Sequence, residues 1–298
     1  MKPVIASAVI AAAAVAAMAA PAFARSGPEV EIDHAVARVA VIVEDRTDVA
    51  VEVEQGSSGL PAITVSRVGN EVRIDGGLRR QGFLNRSDGI GECRSSPDSA
   101  RRPGDGASVE VRDHGRINVA DAPLIVIRTP RRVDVSASGA VFGSVGRRAT
   151  AVNLGIAGCG NWNVANTGGP VSVSIGGSGD VRAGTSTALD ISIGGSGSVT
   201  AGATRGLDIA IGGSGDVTVA RIDGPMEVAI AGSGDVLIRD GSSPDVSVSI
   251  AGSGDVNFGG VARDVDVSIA GGGDVTIARA TGSVSRSIVG SGDIRIGS

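Results

Sequence analysis

Six aspartates recur at one place in a repeating pattern. Asp180, Asp216, Asp235, Asp255, Asp274 and Asp293 each directly follow a Gly-x-Gly corner, and the last five are spaced 19, 20, 19 and 19 residues apart. Ser198 holds the place between Asp180 and Asp216. A column of carboxylates one strand apart, about 4.8 Å, could collect cations. Neighbouring charges at that spacing repel by about 0.9 kcal/mol at water's dielectric, and by several times more if partly dry. A bound divalent ion would relieve that repulsion. The competing role is structural, because an Asp beside a glycine corner can bond backbone N–H groups of its own turn. Calcium-binding β-rolls place Asp two residues after the last Gly of Gly-Gly-x-Gly, every nine residues. Here Asp follows Gly at once and recurs once per repeat, so exposed turn capping is expected, with a cation ladder as the alternative.

Catalytic chemistry has less to work with. The chain holds two histidines, His34 and His114, with no nucleophile at a suggestive spacing. Asp180 stands near Arg182 and Asp293 near Arg295. Some polysaccharide-cleaving β-helices use such clusters, but alternating charges on a solvated strand face account for these. No catalytic residue, metal or cofactor is assigned. Trp162 sits on the same strand face as Val164 and is expected in the core. Asn85-Arg86-Ser87 is an N-glycosylation triplet of a kind common by chance.

The N-terminus sets the compartment. Met1-Lys2 precedes an uncharged Ala/Val/Ile run from Val4 to Ala20, followed by Pro21 and Ala22-Phe23-Ala24. That is the plan of a secretory signal peptide, with cleavage expected after Ala24. A periplasmic or secreted protein follows, and no later apolar run is long enough to span a membrane. Cleavage removes Lys2, which takes the 27 basic residues to 26 and the net charge from −5 to −6. Such a balance argues against nucleic acid, which selects clustered basic residues. In an oxidising compartment the two cysteines, Cys93 and Cys159, are expected to form one disulfide, with free thiols as the alternative.

Positioning these residues is the work of a repeat. Apolar triplets at alternate positions begin at Val133, Val152, Val171, Leu189, Leu207, Met226, Val246, Val265 and Val284, spaced 18 to 20 residues apart. In the clear copies a Gly-rich corner and a second apolar pair follow, as in Leu207, Ile209, Ile211, then Gly213-Ser214-Gly215-Asp216, then Val217 and Val219. Period-two alternation means strand with one buried face. Two short strands bury too little alone, so the units must stack, each strand pairing with its equivalent in the next coil. Four Phe, one Trp and no Tyr, against 47 Gly, suit a narrow aliphatic core. The expected fold is all-β: a right-handed parallel β-helix of about nine coils, roughly 40 Å long.

The recurring Gly-Ser-Gly-Asp-Val/Ile corners from 177 to 294 resemble the bacterial GIN-type head domain family of autotransporter adhesins, with Asp121-Ala122-Pro123-Leu124 and Ser138-Gly139-Ala140-Val141 similar upstream. The resemblance implies a β-helical envelope or surface protein.

The expected organisation is a signal peptide over 1–24, a strand-rich cap over 25–132 and β-helix repeats over 133–298. The cap carries alternating Val39, Val41, Val43 and Val49, Val51, Val53, and a polar, aperiodic loop over 79–106. At the far end Arg286 takes a core position in the last triplet, as befits a coil that meets water. Function is expected to be non-enzymatic, binding or structural, with a flat face offered to polysaccharide or another envelope component. The alternatives are a polysaccharide-active enzyme and a calcium-stabilised scaffold.

Overall fold

The computed structural model describes residues 27–78, 89–94 and 104–297. The signal segment with its cleavage after Ala24, the Asn85 triplet and most of the polar loop lie outside the described residues. The regular structure described is nearly all β, 63% strand, stacked as parallel coils in a β-solenoid of about nine turns.

The first nine strands are β1 (Glu29–Val43), β2 (Ala50–Glu54), β3 (Thr64–Val68), β4 (Glu71–Asp75), β5 (Ile90–Arg94), β6 (Ser108–Val111), β7 (Gly115–Asn118), β8 (Leu124–Thr129) and β9 (Arg132–Val145). Each coil then contributes a triplet strand and a second strand. These are β10 (Ala151–Ile156) and β11 (Asn161–Val164), β12 (Val171–Ile175) and β13 (Asp180–Ala183), and β14 (Leu189–Ile193) and β15 (Val199–Thr204). Next come β16 (Leu207–Ile211) and β17 (Val217–Asp223), then β18 (Met226–Gly232) and β19 (Val236–Ile238). Further on the strands run around the corners: β20 (Gly241–Gly252), β21 (Val256–Gly271), β22 (Val275–Ala280), β23 (Val284–Gly290) and β24 (Ile294–Ile296).

Register follows the repeat. Val171, Val173 and Ile175 face Leu189, Ile191 and Ile193, which face Leu207, Ile209 and Ile211 in turn. The middle column of the triplets runs Val135, Leu154, Val173, Ile191, Ile209, Val228, Val248, Val267, and none is more than 2% exposed. Burying one such side chain contributes about 1.5–3 kcal/mol, so the columns drive the stack. Trp162 is fully buried, as expected, and its ring fills the space that a Cβ on Gly143 would need.

The corner glycines are required for two reasons. Gly271 and Gly290 hold φ of +147° and +137°, a region that side-chain-bearing residues rarely enter. A Cβ on Gly290 would also strike the carbonyl oxygen of Gly271 in the coil before.

Parallel stacking reaches back beyond Val133. β1 pairs with β9 along both its halves, and β4 and β8 pair in parallel with the first and second halves of β1. Between Ile32 and Ala35 the register slips by a bulge, where His34 takes φ 49°. β2 and β3 then close this end by antiparallel pairing with β8 and β4.

A separate antiparallel sheet, β5-β6-β7, packs on the flank of the first coils. It covers Val36, Ala140 and Phe142 with Val109, Val111 and Ile117 in a small second core. β5 lies inside the stretch that reads as polar and aperiodic. It is a strand because β6 supplies backbone partners, not because its own side chains alternate. The Cys93–Cys159 disulfide forms as expected, with Cα atoms 6.3 Å apart, and ties β5 to the corner after β10.

Candidate functional site

The aspartate ladder forms one column, and its geometry gives it a job. Asp180 Oδ1 accepts the Ser198 N–H at 3.2 Å. Asp216 then accepts the Asp235 N–H at 3.1 Å, Asp235 that of Asp255 at 2.9 Å, Asp255 that of Asp274 at 2.8 Å, and Asp274 that of Asp293 at 2.9 Å. Each carboxylate thus caps the backbone of the next coil rather than its own turn. A strand that has just left a corner points Cβ outward, and the neighbouring coil's free N–H lies one strand spacing away. At the end of the column Arg295 bridges Asp274 at 3.4 Å and Asp293 at 2.7 Å. A hollow of about 330 Å³ lies over Asp216, Asp235 and Asp255, with Thr218 and Asn257 beside them. Among the described residues no group of three or more His, Cys, Asp or Glu has the placement to hold a metal ion.

Toward the N-terminus the same column becomes Asn161, opposite Asp180, and then Phe142. Phe142 is buried under the β5-β6-β7 sheet, so the flank sheet begins where the aspartates leave off.

A second acidic column stands on the triplet face, at the outward position after the first apolar residue. Asp190 faces Asp208, Asp208 faces Glu227, and after Ser247 the column resumes at Asp266. It walls a groove of about 590 Å³, lined along its middle by Leu207 and Met226, whose side chains are buried in the coil core, and by the exposed Pro225. The opposite wall carries Asp245 and Asp264.

The two walls differ in charge compensation. Arg263 pairs with Asp245 at 3.3 Å and with Asp264 at 2.7 Å. Asp264 also accepts from the Ser283 Oγ at 2.6 Å and backbone N–H at 2.9 Å. The Ser283 hydroxyl and then Arg263 hold its carboxyl far below the usual range. Asp190, Asp208, Glu227 and Asp266 have no Arg partner among the described residues. Burial, and secondarily the charge of Asp208, pushes the Asp190 carboxyl up, and burial does the same for Asp208. Two partly buried carboxylates therefore stand side by side without an Arg partner.

This second column is absent from the candidates that the sequence offers. The signal was present in the spacing: Asp190, Asp208 and Glu227 occupy one position of successive triplets, as the ladder does one position of successive corners. The surrounding Ser and Ala at outward positions masked it. Of the histidines, His114 is exposed on the turn after β6. His34 is held by its backbone N–H, which donates to Ser138 Oγ at 3.1 Å. Neither is among the residues that line the groove.

Fold and face together define a β-solenoid with charge organised in columns along its coils. Residues 205–298 match the family model described as "Putative auto-transporter adhesin, head GIN domain". The matched segment runs from β16 to β24 and carries most of the groove and of the aspartate ladder. No curated protein matches the sequence.

Proposed function

We propose that this is an exported, non-enzymatic surface or envelope protein that binds through the groove beside Asp190, Asp208 and Glu227, and that its ligand is an envelope or extracellular polysaccharide bearing free amino groups. One observation carries the proposal: the groove wall concentrates acids without cations, on a protein whose other acids commonly sit beside Arg. Arg221, for example, bridges Asp223 and Asp240 at 2.8 Å each. An ammonium group entering the groove would compensate the half-buried carboxylates, and the exposed ring of Pro225 offers an apolar surface to a sugar face. A polyanionic polysaccharide would be repelled. The adhesin head domain matched by the C-terminal coils and the disulfide support an exported, adhesive role.

The test is retention of purified residues 25–298 on immobilised polymers: glucosamine polymer, its N-acetylated form and a polyuronate, each with calcium or with chelator. Retention on the free-amine polymer alone, insensitive to chelator and released by salt, is expected. Equal retention on the acetylated polymer would remove the role of the acids. Chelator-sensitive retention on polyuronate would instead favour a calcium-bridged ladder, and release of shortened saccharide would favour an enzyme.

A further inference from the structure

The triplet on β23 breaks the core column at its middle. Eight aliphatic residues from Val135 to Val267 are followed, in register, by Arg286. Its neighbours on the same inward row, Val284 and Ile288, keep the apolar pattern but are 40% and 42% exposed. One edge of β23 pairs with β21 over seven residues, and among the described residues no strand pairs with the other. An edge with free N–H and C=O groups beside apolar side chains is a template for another strand.

The complementary strand is already present in a second copy. In antiparallel pairing about a two-fold axis through Arg286, Val284 of one copy faces Ile288 of the other, and the reverse. Both are aliphatic pairs that favour pairing. The one opposed pair on that row that does not fit is Arg286 against Arg286. Side chains directly opposite across an antiparallel pair have Cβ atoms about 4.5–5.5 Å apart, and like charges there are destabilising. A closed, two-fold contact of this kind needs each side to offer the same patch. β23 offers it in every respect but its centre.

We infer that Arg286 is an assembly stop: its charge keeps the open coil edge at β23 from pairing tail-to-tail with a second copy of this chain. The remaining edge residues are those of a strand that would otherwise pair. Arg286 itself is not among the groove's lining residues, although Ser285 beside it is.

Light scattering after size exclusion, across a concentration series, tests it on residues 25–298. The native protein is expected to be monomeric, and Arg286→Val a dimer whose mass does not grow further. Arg286→Glu is expected to stay monomeric, since it replaces one like-charge pair by another. Val284→Asp added to Arg286→Val is expected to restore the monomer, which separates edge pairing from general stickiness. Circular dichroism and thermal melting establish that each variant is folded, and the Arg286→Glu and double-variant arms stand if Arg286→Val alone aggregates. A folded Arg286→Val that stays monomeric at every concentration, or a dimeric Arg286→Glu, overturns the proposal.

Discussion

Asp190 and Asp208 make the sharpest case at the level of single residues, because their situation can be read from stability as well as from binding. Their carboxyls bind protons more tightly in the folded chain than in the unfolded one, where the ordinary value is 3.8. As pH rises through and above that value the unfolded chain releases its protons first. The native state then holds more protons than the unfolded, so stability falls with rising pH. The Asp190→Asn, Asp208→Asn double variant should therefore melt at a higher temperature than the parent at pH 7. The gain should shrink as pH is lowered toward 4, where the parental carboxyls regain their protons. A lower melting temperature at pH 7 would mean that these acids make stabilising contacts, and the uncompensated-charge account would fail. Asp264 works in the opposite sense, since Ser283 and Arg263 favour its charged form. The ladder aspartates were legible in the sequence because Gly-Ser-Gly marks their place. What was not legible was the direction of their bonds, which depends on how far the next coil's backbone lies from Cβ. The groove acids were harder to find, because at outward strand positions Ser, Asp and Ala interchange freely and only register turns three acids into a wall.

Elements differ in how strongly their own residues determine them. Triplets such as Leu189-Asp190-Ile191-Ser192-Ile193 specify both strand and buried face, and they pair as their spacing requires. β1 carries the same alternation, yet its place in the stack, directly before β9, is joined to it through 88 intervening residues and could not be read from a local period. β5 is the extreme case, since the sequence Ile90-Gly91-Glu92-Cys93-Arg94 is half polar and becomes a strand through β6 and the disulfide. A bridge closing 66 residues restricts the unfolded chain by about 3–5 kcal/mol in the chain-entropy account. Cys159→Ser should accordingly lower the melting temperature and increase amide exchange in β5, while amides of the central coils β14 to β18 stay protected. Uniform loss of protection along the whole solenoid would show that the flank sheet and the coils unfold as one unit. Non-reducing peptide mapping should recover Cys93 and Cys159 linked, and full alkylation of both without reductant would contradict the bridge.

For the molecule as a whole, a stack of near-identical coils turns a single outward position into a line of side chains. That is how a chain with five aromatic residues and no assigned catalytic constellation can still carry organised chemistry. One line, at the corners, is committed to holding successive coils together. The other, on the triplet face, is left without Arg partners along the groove. The flank sheet covers the first coils, and the coils from β14 onward leave the groove open. Repetition was the most legible feature of the sequence because it is the feature least dependent on any one residue. The direct measurement of the central claim is calorimetric titration of a short glucosamine oligomer into residues 25–298 and into the Asp190→Asn, Asp208→Asn, Glu227→Gln variant. Saturable binding to the native protein that the folded triple variant loses, and that the N-acetylated oligomer does not reproduce, is the predicted result. Equal affinity of both proteins for the oligomer, or no heat from either, would contradict the groove as the binding site for an amino-bearing ligand.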